Sequence, residues 1–363
     1  RMFILVAVVI LLAASWFAAA TWTHFTGLSG WPWQLGALAV VGLFVAVIFL
    51  SFRRQHFILQ AVGTLTAVAL GFLNFALLAA LACWLALGIS RLAHLAPDLP
   101  RLAGCFYGIA GVVTLYGLAN AARLRVTRYT VRLPNLPAAW RGREVALVSD
   151  LHVGNIRGPR FVGTVVARLK QLQPAAVFIA GDMFDGAKVD SARSVEPWST
   201  FRPPAGTYFV TGNHDEFSDP APHLAALAKT GVRILHNEKV DVEGLQIVGV
   251  HDSETHRRDG YREILQRARI DRARPSILLA HQPAHLDVPE AAGISLQVSG
   301  HTHRGQSWPW SLLVHRIYGP FAYGLNRRGR MQVCTSSGAG SWGPPMRVGT
   351  KAEIVLLRLE PES

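Results

Sequence analysis

The first 125 residues contain no lysine and no glutamate; seven arginines and a single aspartate, Asp98, carry all of their formal charge. Four charge-free apolar runs fill this stretch: Met2–Ala20, Trp33–Phe52, Phe57–Ser90 and Leu102–Ala122. A helix needs about 20 apolar residues to cross the roughly 30 Å hydrocarbon layer of a bilayer. A soluble core would have to hide four long helices that are apolar on every face, so the runs are read as four membrane spans. The third run has 34 residues, more than one crossing requires, and its part carrying Gln60 and Thr64 is expected at the interface. Gly104 and Gly108 form one GxxxG, a pattern that lets helices approach closely. Arg1, the apolar stretch after it and Ala18-Ala19-Ala20 also resemble a cleavable secretory signal, whose removal would leave three spans. The arginine ahead of Met2 suggests a start further upstream.

The arginines set an expected orientation. Arg53 and Arg54 follow the second run, and Arg123, Arg125, Arg128 and Arg132 follow the fourth. The segment "TWTHFTGLSGWPW" between the first two runs has no Lys or Arg, and its Trp22, Trp31 and Trp33 fit an interfacial belt. Arg91 and Arg101 pull the other way. The balance places both termini in the cytoplasm, as in a multi-pass protein of a bacterial inner membrane with its soluble part facing inward. The lipid bilayer is then the expected partner, and no obligate protein partner is evident. A net charge of +13 invites a nucleic-acid reading, but positive residues flank the spans and elsewhere form no block with interleaved aromatics, so no nucleic acid is expected. Cys83, Cys105 and Cys334 form no CxxC and no even framework, which excludes a disulfide scaffold or a zinc knuckle.

Beyond Thr127 the pattern changes to short apolar runs alternating with helix-like segments, so 1–125 is read as a transmembrane region and 126–363 as an α/β domain. "EVALVS" (Glu144–Ser149) ends at Asp150, "AAVFIA" (Ala175–Ala180) at Gly181-Asp182, and "GTYFVT" (Gly206–Thr211) at Gly212-Asn213-His214-Asp215. "SILLA" (Ser276–Ala280) ends at His281, and "GISLQV" runs into Ser299-Gly300-His301-Thr302-His303. "RFVGTVVARLKQL" (Arg160–Leu172) has helical periodicity. Each of these five strands thus stops at a residue able to bind a metal, and α/β sheets bind ligands beyond the carboxyl ends of their strands.

The strand-end groups are Asp150, His152, Asp182, Asn213, His281, His301 and His303. Residues two apart in extended chain project to one side, so Asp150/His152 and His301/His303 can each aim a pair at one site. Seven donors are too many for one tetrahedral ion and suit two ions sharing a carboxylate, with Asp182 as the bridge. Two divalent ions, two carboxylates and a bridging hydroxide leave a charge of about +1, a receptor for phosphate, and such a pair lowers the pKa of bound water toward about 7. Mixed His, Asp and Asn donors accept Mn, Fe or Zn.

In order, "SDLH", "GDMFD", "GNHD", "AHQP" and "GHTH" resemble the calcineurin-like metallophosphoesterases, and the resemblance runs from about Thr127 to Leu357. It implies two β-sheets sandwiched with flanking helices and a dinuclear metal centre at the strand ends. By that resemblance one metal is held by Asp150, His152, Asp182 and His303, the other by Asp182, Asn213, His281 and His301. His214 donates a proton to the leaving oxygen, and Asp185 holds its imidazole. The distal "GLNRRGRMQVCTSSGAGSWGPPMRVGTKAEIVLL" is similar to a membrane-attached bacterial subgroup. Arg304 departs from the small residue expected after GHTH; it is either a surface arginine or a guanidinium for the substrate phosphate.

Asp215 is expected to brace its loop, His251 and His256 to lie on surface loops rather than at the mouth of the site, and Trp308-Pro309-Trp310 to pack in the ordinary way rather than face lipid or acyl chains. The resulting expectation is a membrane-anchored, metal-dependent phosphoesterase acting on a monoester, diester or pyrophosphate, its four spans favouring a lipid-linked substrate. An inactive metal-binding scaffold would lack a ligand or the proton donor, and none is missing. A transporter would place charges within its spans, and these have none.

Overall fold

The computed structural model describes residues 2–362; Arg1, on which the expectation about the start rests, lies outside them. The chain divides into two compact units. The first holds four helices: α1 (Met2–Thr26), α2 (Trp31–Ser51), α3 (Phe57–Leu92) and α4 (Leu99–Ala121). All four are long and apolar enough to cross a membrane. The third apolar run folds as one unbroken helix of 36 residues, about 54 Å long. Within it the Thr64 hydroxyl donates to the Gln60 carbonyl at 2.8 Å, so this polar group is satisfied by its own helix. Between helices, Tyr107 donates its hydroxyl to the Ala18 carbonyl at 2.6 Å and Trp84 Nε1 donates to Thr21 Oγ1 at 3.0 Å.

The glycines of the GxxxG pattern do not mediate close packing: a Cβ at Gly104 or Gly108 would meet nothing within 4 Å. The tight approaches are at Gly71 and Gly117, where an added Cβ would lie 2.1 Å from Met346 Cε and 2.9 Å from Val348 Cγ2. Both partners belong to Gly343–Val348, a distal segment that packs as part of the helical unit. Asn120 Nδ2 donates to the Arg347 carbonyl at 2.8 Å, the Arg347 amide donates to the Gly117 carbonyl at 2.9 Å, and the Arg347 side chain is fully buried.

The second unit is built on twelve strands. In chain order they are β1 (Leu124–Leu133), β2 (Glu144–Val148), β3 (Ala176–Ala180), β4 (Thr207–Val210), β5 (Arg233–Ile234), β6 (Glu238–Val242), β7 (Leu245–Val250), β8 (Ser276–Ala280), β9 (Leu296–Ser299), β10 (Gly324–Arg328), β11 (Met331–Thr335) and β12 (Ala352–Pro361). One sheet has the order β1-β12-β2-β3-β4-β5, the other β10-β11-β9-β8-β7-β6. Their central strands are mostly apolar because both faces are covered. Val145, Leu147, Phe178 and Val210 meet Ile247, Ile277, Leu279 and Val298 between the sheets. On the outer face of the first sheet, Ala146, Val148, Val177 and Ile179 pack on Val162, Val165 and Leu169 of α5 (Pro159–Leu172). Outside the second sheet, Val248, Val250, Leu278 and Ala280 pack on Tyr261, Ile264 and Leu265 of the helix Arg258–Arg267. This is the two-sheet sandwich with flanking helices that the motifs imply.

Pairing is parallel from β2 through β3 to β4 and from β7 through β8 to β9. Parallel strands end on the same edge, so within each sheet the loops bearing the predicted ligands emerge side by side. Trp308 is 50% exposed and Trp310 52%, less covered than the ordinary packing expected of them, and the helix Trp310–Tyr318 has no buried residue.

Candidate metal centre

The loops that leave these strands are tied to one another by main-chain bonds. The Asp150 amide donates to the Gly181 carbonyl at 3.1 Å, His152 to Asp182 at 3.0 Å, and Gly300 to His281 at 2.9 Å. In this register the predicted ligands converge, but not through extended chain. Asp150, His152, Asp182, His301 and His303 have φ of 54°, 50°, 52°, 68° and 46°. Both members of each pair are left-handed, and it is this turn, rather than strand alternation, that sets their side chains. Such a conformation in a non-glycine residue costs about 1–3 kcal/mol, and it persists where the surrounding structure over-determines it, as at binding sites.

His152 Nε2 and His303 Nε2 are 3.0 Å apart. His281 Nε2 lies 3.2 Å from Asp182 Oδ2, His152 Nε2 3.7 Å from the same oxygen, and His303 Nε2 3.5 Å from Asp150 Oδ1. Asn213 Oδ1 faces His301 Nδ1 at 2.8 Å. Three overlapping sets, Asp150/His152/His303, His152/Asp182/His214 and Asp150/Asp182/His281, each have donor atoms within 4.8 Å of one another. His281 Nδ1 donates to the Ala180 carbonyl at 2.7 Å, which leaves Nε2 as the free lone pair, the tautomer a metal ligand needs.

The electrostatics describe a place made for cations. Burial holds the imidazoles of His152 and His301 down to about 3, with the neighbouring His281 charge also lowering His301. Burial pushes the Asp150 carboxyl up to about 6, with Asp182 adding to the rise. Burial acts most strongly on Asp182 and would raise it, but the charge and hydrogen bond of His281, with His152 and His214 adding to them, together hold Asp182 far below the usual range. Burial opposes a charge on His281, yet Asp182 raises it well above its ordinary value. Among the described residues, Asp150 Oδ2 and His152 Nδ1 are buried with no hydrogen-bond partner, an expensive arrangement. The mixed nitrogen and oxygen donors fit divalent metal.

His214 stands at the rim of this cluster. Its amide donates to Asp182 Oδ1 at 2.9 Å, and its ring meets that of His152 edge-on at 4.8 Å. Burial lowers its imidazole below the ordinary value. The expected contact with the Asp185 carboxylate is not made. His214 Nδ1 faces the Asp185 main-chain carbonyl at 3.5 Å, while the carboxylate accepts from the amides of Ala187, at 2.9 Å, and Asn155. Gly154 makes room for that carboxylate, since a Cβ there would fall 1.8 Å from Asp185 Oδ2. Asp215 braces its loop, accepting from the amides of Gly212 and Phe184 at 2.8 Å each and of Met183 at 3.3 Å. The Arg304 guanidinium lies over the Tyr323 ring, 4.5 Å from its centroid, and makes no hydrogen bond to the cluster among the described residues. His251 bonds Thr211 and His236, and His256 bonds Asp252 and Gln282; neither joins the cluster.

Two features escaped sequence reasoning. Phe217 and Trp342, both more than half exposed, place rings 4.3 and 5.5 Å from that of His214. The distal "SSGAG" segment also bonds directly to the first ligand loop. The Ala339 and Gly340 amides donate to the carbonyls of Ser149 and Asp150 at 2.9 and 2.8 Å. Its Ser-Gly-Ala-Gly composition, small residues that let backbones approach, was the available signal.

The calcineurin-like phosphoesterase profile matches residues 144–305, from β2 through the last histidine pair. An uncharacterised metallophosphoesterase of Helicobacter pylori is 35% identical over 225 residues, covering 61% of this chain and 60% of that protein. One of Campylobacter jejuni is 31% identical over 258 residues, covering 69% and 68%. A zebrafish (Danio rerio) transmembrane protein with metallophosphoesterase domain is 32% identical over 268 residues, covering 69% and 61%. The match thus spans about 60% of the Helicobacter and zebrafish relatives. Shared sequence of this extent carries one conclusion: the chain belongs to the calcineurin-like phosphoesterase family.

Proposed function

We propose that the protein is a membrane-anchored phosphoesterase whose strand-end cluster holds two divalent ions and hydrolyses a phosphomonoester, phosphodiester or pyrophosphate bond at the cytoplasmic face. The observation that carries this is the meeting of donor sets from five strand ends, with Asp150, His152 and Asp182 each shared between two sets. Asp150, His152, Asp182 and His303 would hold one ion, and Asp182, Asn213, His281 and His301 the other. Bound ions supply Lewis acidity that polarises the phosphoryl group and readies water for attack.

The chain's own residues do the rest. Asp182 belongs to both sets and also accepts from the His214 amide, so it positions the acid relative to the metal. His214 donates the proton that the leaving oxygen needs, its ring steadied by the Asp185 carbonyl. Asp215 fixes the loop between them through three amides. Arg304 has a packing role on Tyr323 in this reading. Four spans are a large anchor for an enzyme of freely diffusing esters, which supports a lipid-linked substrate.

The test is release of nitrophenolate from p-nitrophenyl phosphate and bis(p-nitrophenyl) phosphate by the purified full chain, with Mn²⁺, Fe²⁺ or Zn²⁺ supplied in turn. Metal-dependent turnover of either ester is expected. Bound metal without turnover of either would favour the inactive scaffold.

A further inference from the structure

The helix Trp310–Tyr318 reverses the usual amphipathic order. Trp310, Leu313 and Ile317 lie at i, i+3 and i+7 and form one stripe, and all three are more than half exposed. Trp308 extends the patch on the N-terminal side. The opposite side seats on the histidine loop: Gly305 packs so tightly on Ser311 that an added Cβ would fall 2.5 Å from its backbone, and the Tyr318 ring meets His301 edge-on at 6.1 Å. The helix is therefore held by the loop that carries His301 and His303 and turns its apolar stripe outward.

We infer that this helix is an interfacial membrane element, which lies in the headgroup region of the bilayer and holds the metal loop against the lipid surface. The occupant follows from the chain itself. Only Ala122 and Arg123 separate the last apolar helix from β1, a link of about 7 Å when extended, so β1 is tethered closely to the end of a helix read as a span. Paired Trp residues next to Leu and Ile, with Arg316 and His315 also exposed on the helix, have the composition of helices that lie in an interface. This rests on the reading that the four apolar helices span a bilayer, and it specifies the substrate as one reached from the headgroup layer.

The test uses the full chain, with exposed Cys105 replaced by alanine, carrying a nitrobenzoxadiazole label on Leu313→Cys, Ile317→Cys or, as a control, exposed Glu263→Cys. Each is reconstituted in phosphatidylcholine/phosphatidylglycerol vesicles. Lipids brominated near the headgroup should cause a loss of fluorescence at 313 and 317 and spare 263, while aqueous iodide does the reverse. Iodide quenching at 313 and 317 equal to that at 263 overturns the proposal. So does protection from both quenchers, which would mean that protein covers the helix. Turnover of p-nitrophenyl phosphate by the same labelled proteins reports separately on the chemistry, so failure of the site and failure of the helix are distinguishable.

Discussion

His152 and His303 present their Nε2 atoms to each other at 3.0 Å, from two loops that are 151 residues apart in the chain. The two nitrogens meet this closely only with a proton or a cation between them, because two bare lone pairs repel. The arrangement predicts that divalent metal stabilises the fold. At a free metal concentration about one hundred times the dissociation constant the gain is about 2.7 kcal/mol. Thermal unfolding of the full chain with and without Mn²⁺ or Zn²⁺ checks this, and His303→Ala should abolish most of the shift.

The Asp185 carboxylate accepts from two amides and leaves only its main-chain carbonyl for His214. Asp185→Asn keeps that carbonyl and so should lower kcat by less than about tenfold, whereas loss of the acid itself in His214→Ala should cost about 10²–10⁴-fold. The His214→Ala defect should shrink for a nitrophenolate leaving group, which needs little protonation, with metal content near normal. Rates on an alkyl and a nitrophenyl ester, beside elemental analysis, decide between these roles. Equal slowing on both esters would remove His214 from the mechanism.

Gly340 touches the backbone of the first ligand loop. An added Cβ would lie 2.4 Å from the Leu151 carbonyl oxygen and 2.5 Å from that of Asp150, both main-chain atoms that cannot swing aside. Gly340→Ala should destabilise the second unit by about 1–3 kcal/mol and weaken metal binding through the displaced loop. Denaturant unfolding and a metal titration on the same variant check the two effects.

The orientation proposed from Arg53, Arg54, Arg123, Arg125, Arg128 and Arg132 would put the second unit in the cytoplasm. Protease added to spheroplasts should leave that unit intact, and protease added to inverted vesicles should digest it. The opposite pattern would move the site to the outer side.

Much of this architecture was legible because apolar runs and chemistry-bearing residues stand next to each other in the chain. "SILLA" followed by His281 names both a strand and a ligand, and the four charge-free runs name the helices. What the sequence did not reveal depends on backbone angles and distant contacts. The pairing of Asp150 with His152 was expected from strand alternation, but both residues adopt left-handed φ, which no residue-type signal announces outside glycine. The turn of the Asp185 carboxylate toward Ala187 depends on Gly154, thirty-one positions earlier. The exposed apolar stripe of Trp310–Tyr318 reads in sequence like any packed helix, because periodicity reports a face and not what covers it. Likewise, nothing in "GPPMRV" announces that the segment packs beside Gly71 and Gly117.

The central claim is that Asp182 belongs to two metal sites at once, and metal content measures it directly. Elemental analysis of the purified full chain after equilibration with Mn²⁺ or Zn²⁺ should give about two ions per chain, and Asp182→Asn should lose metal from both sites together with activity. A wild-type chain that binds no divalent metal, or an Asp182→Asn chain that keeps both ions, would contradict the account.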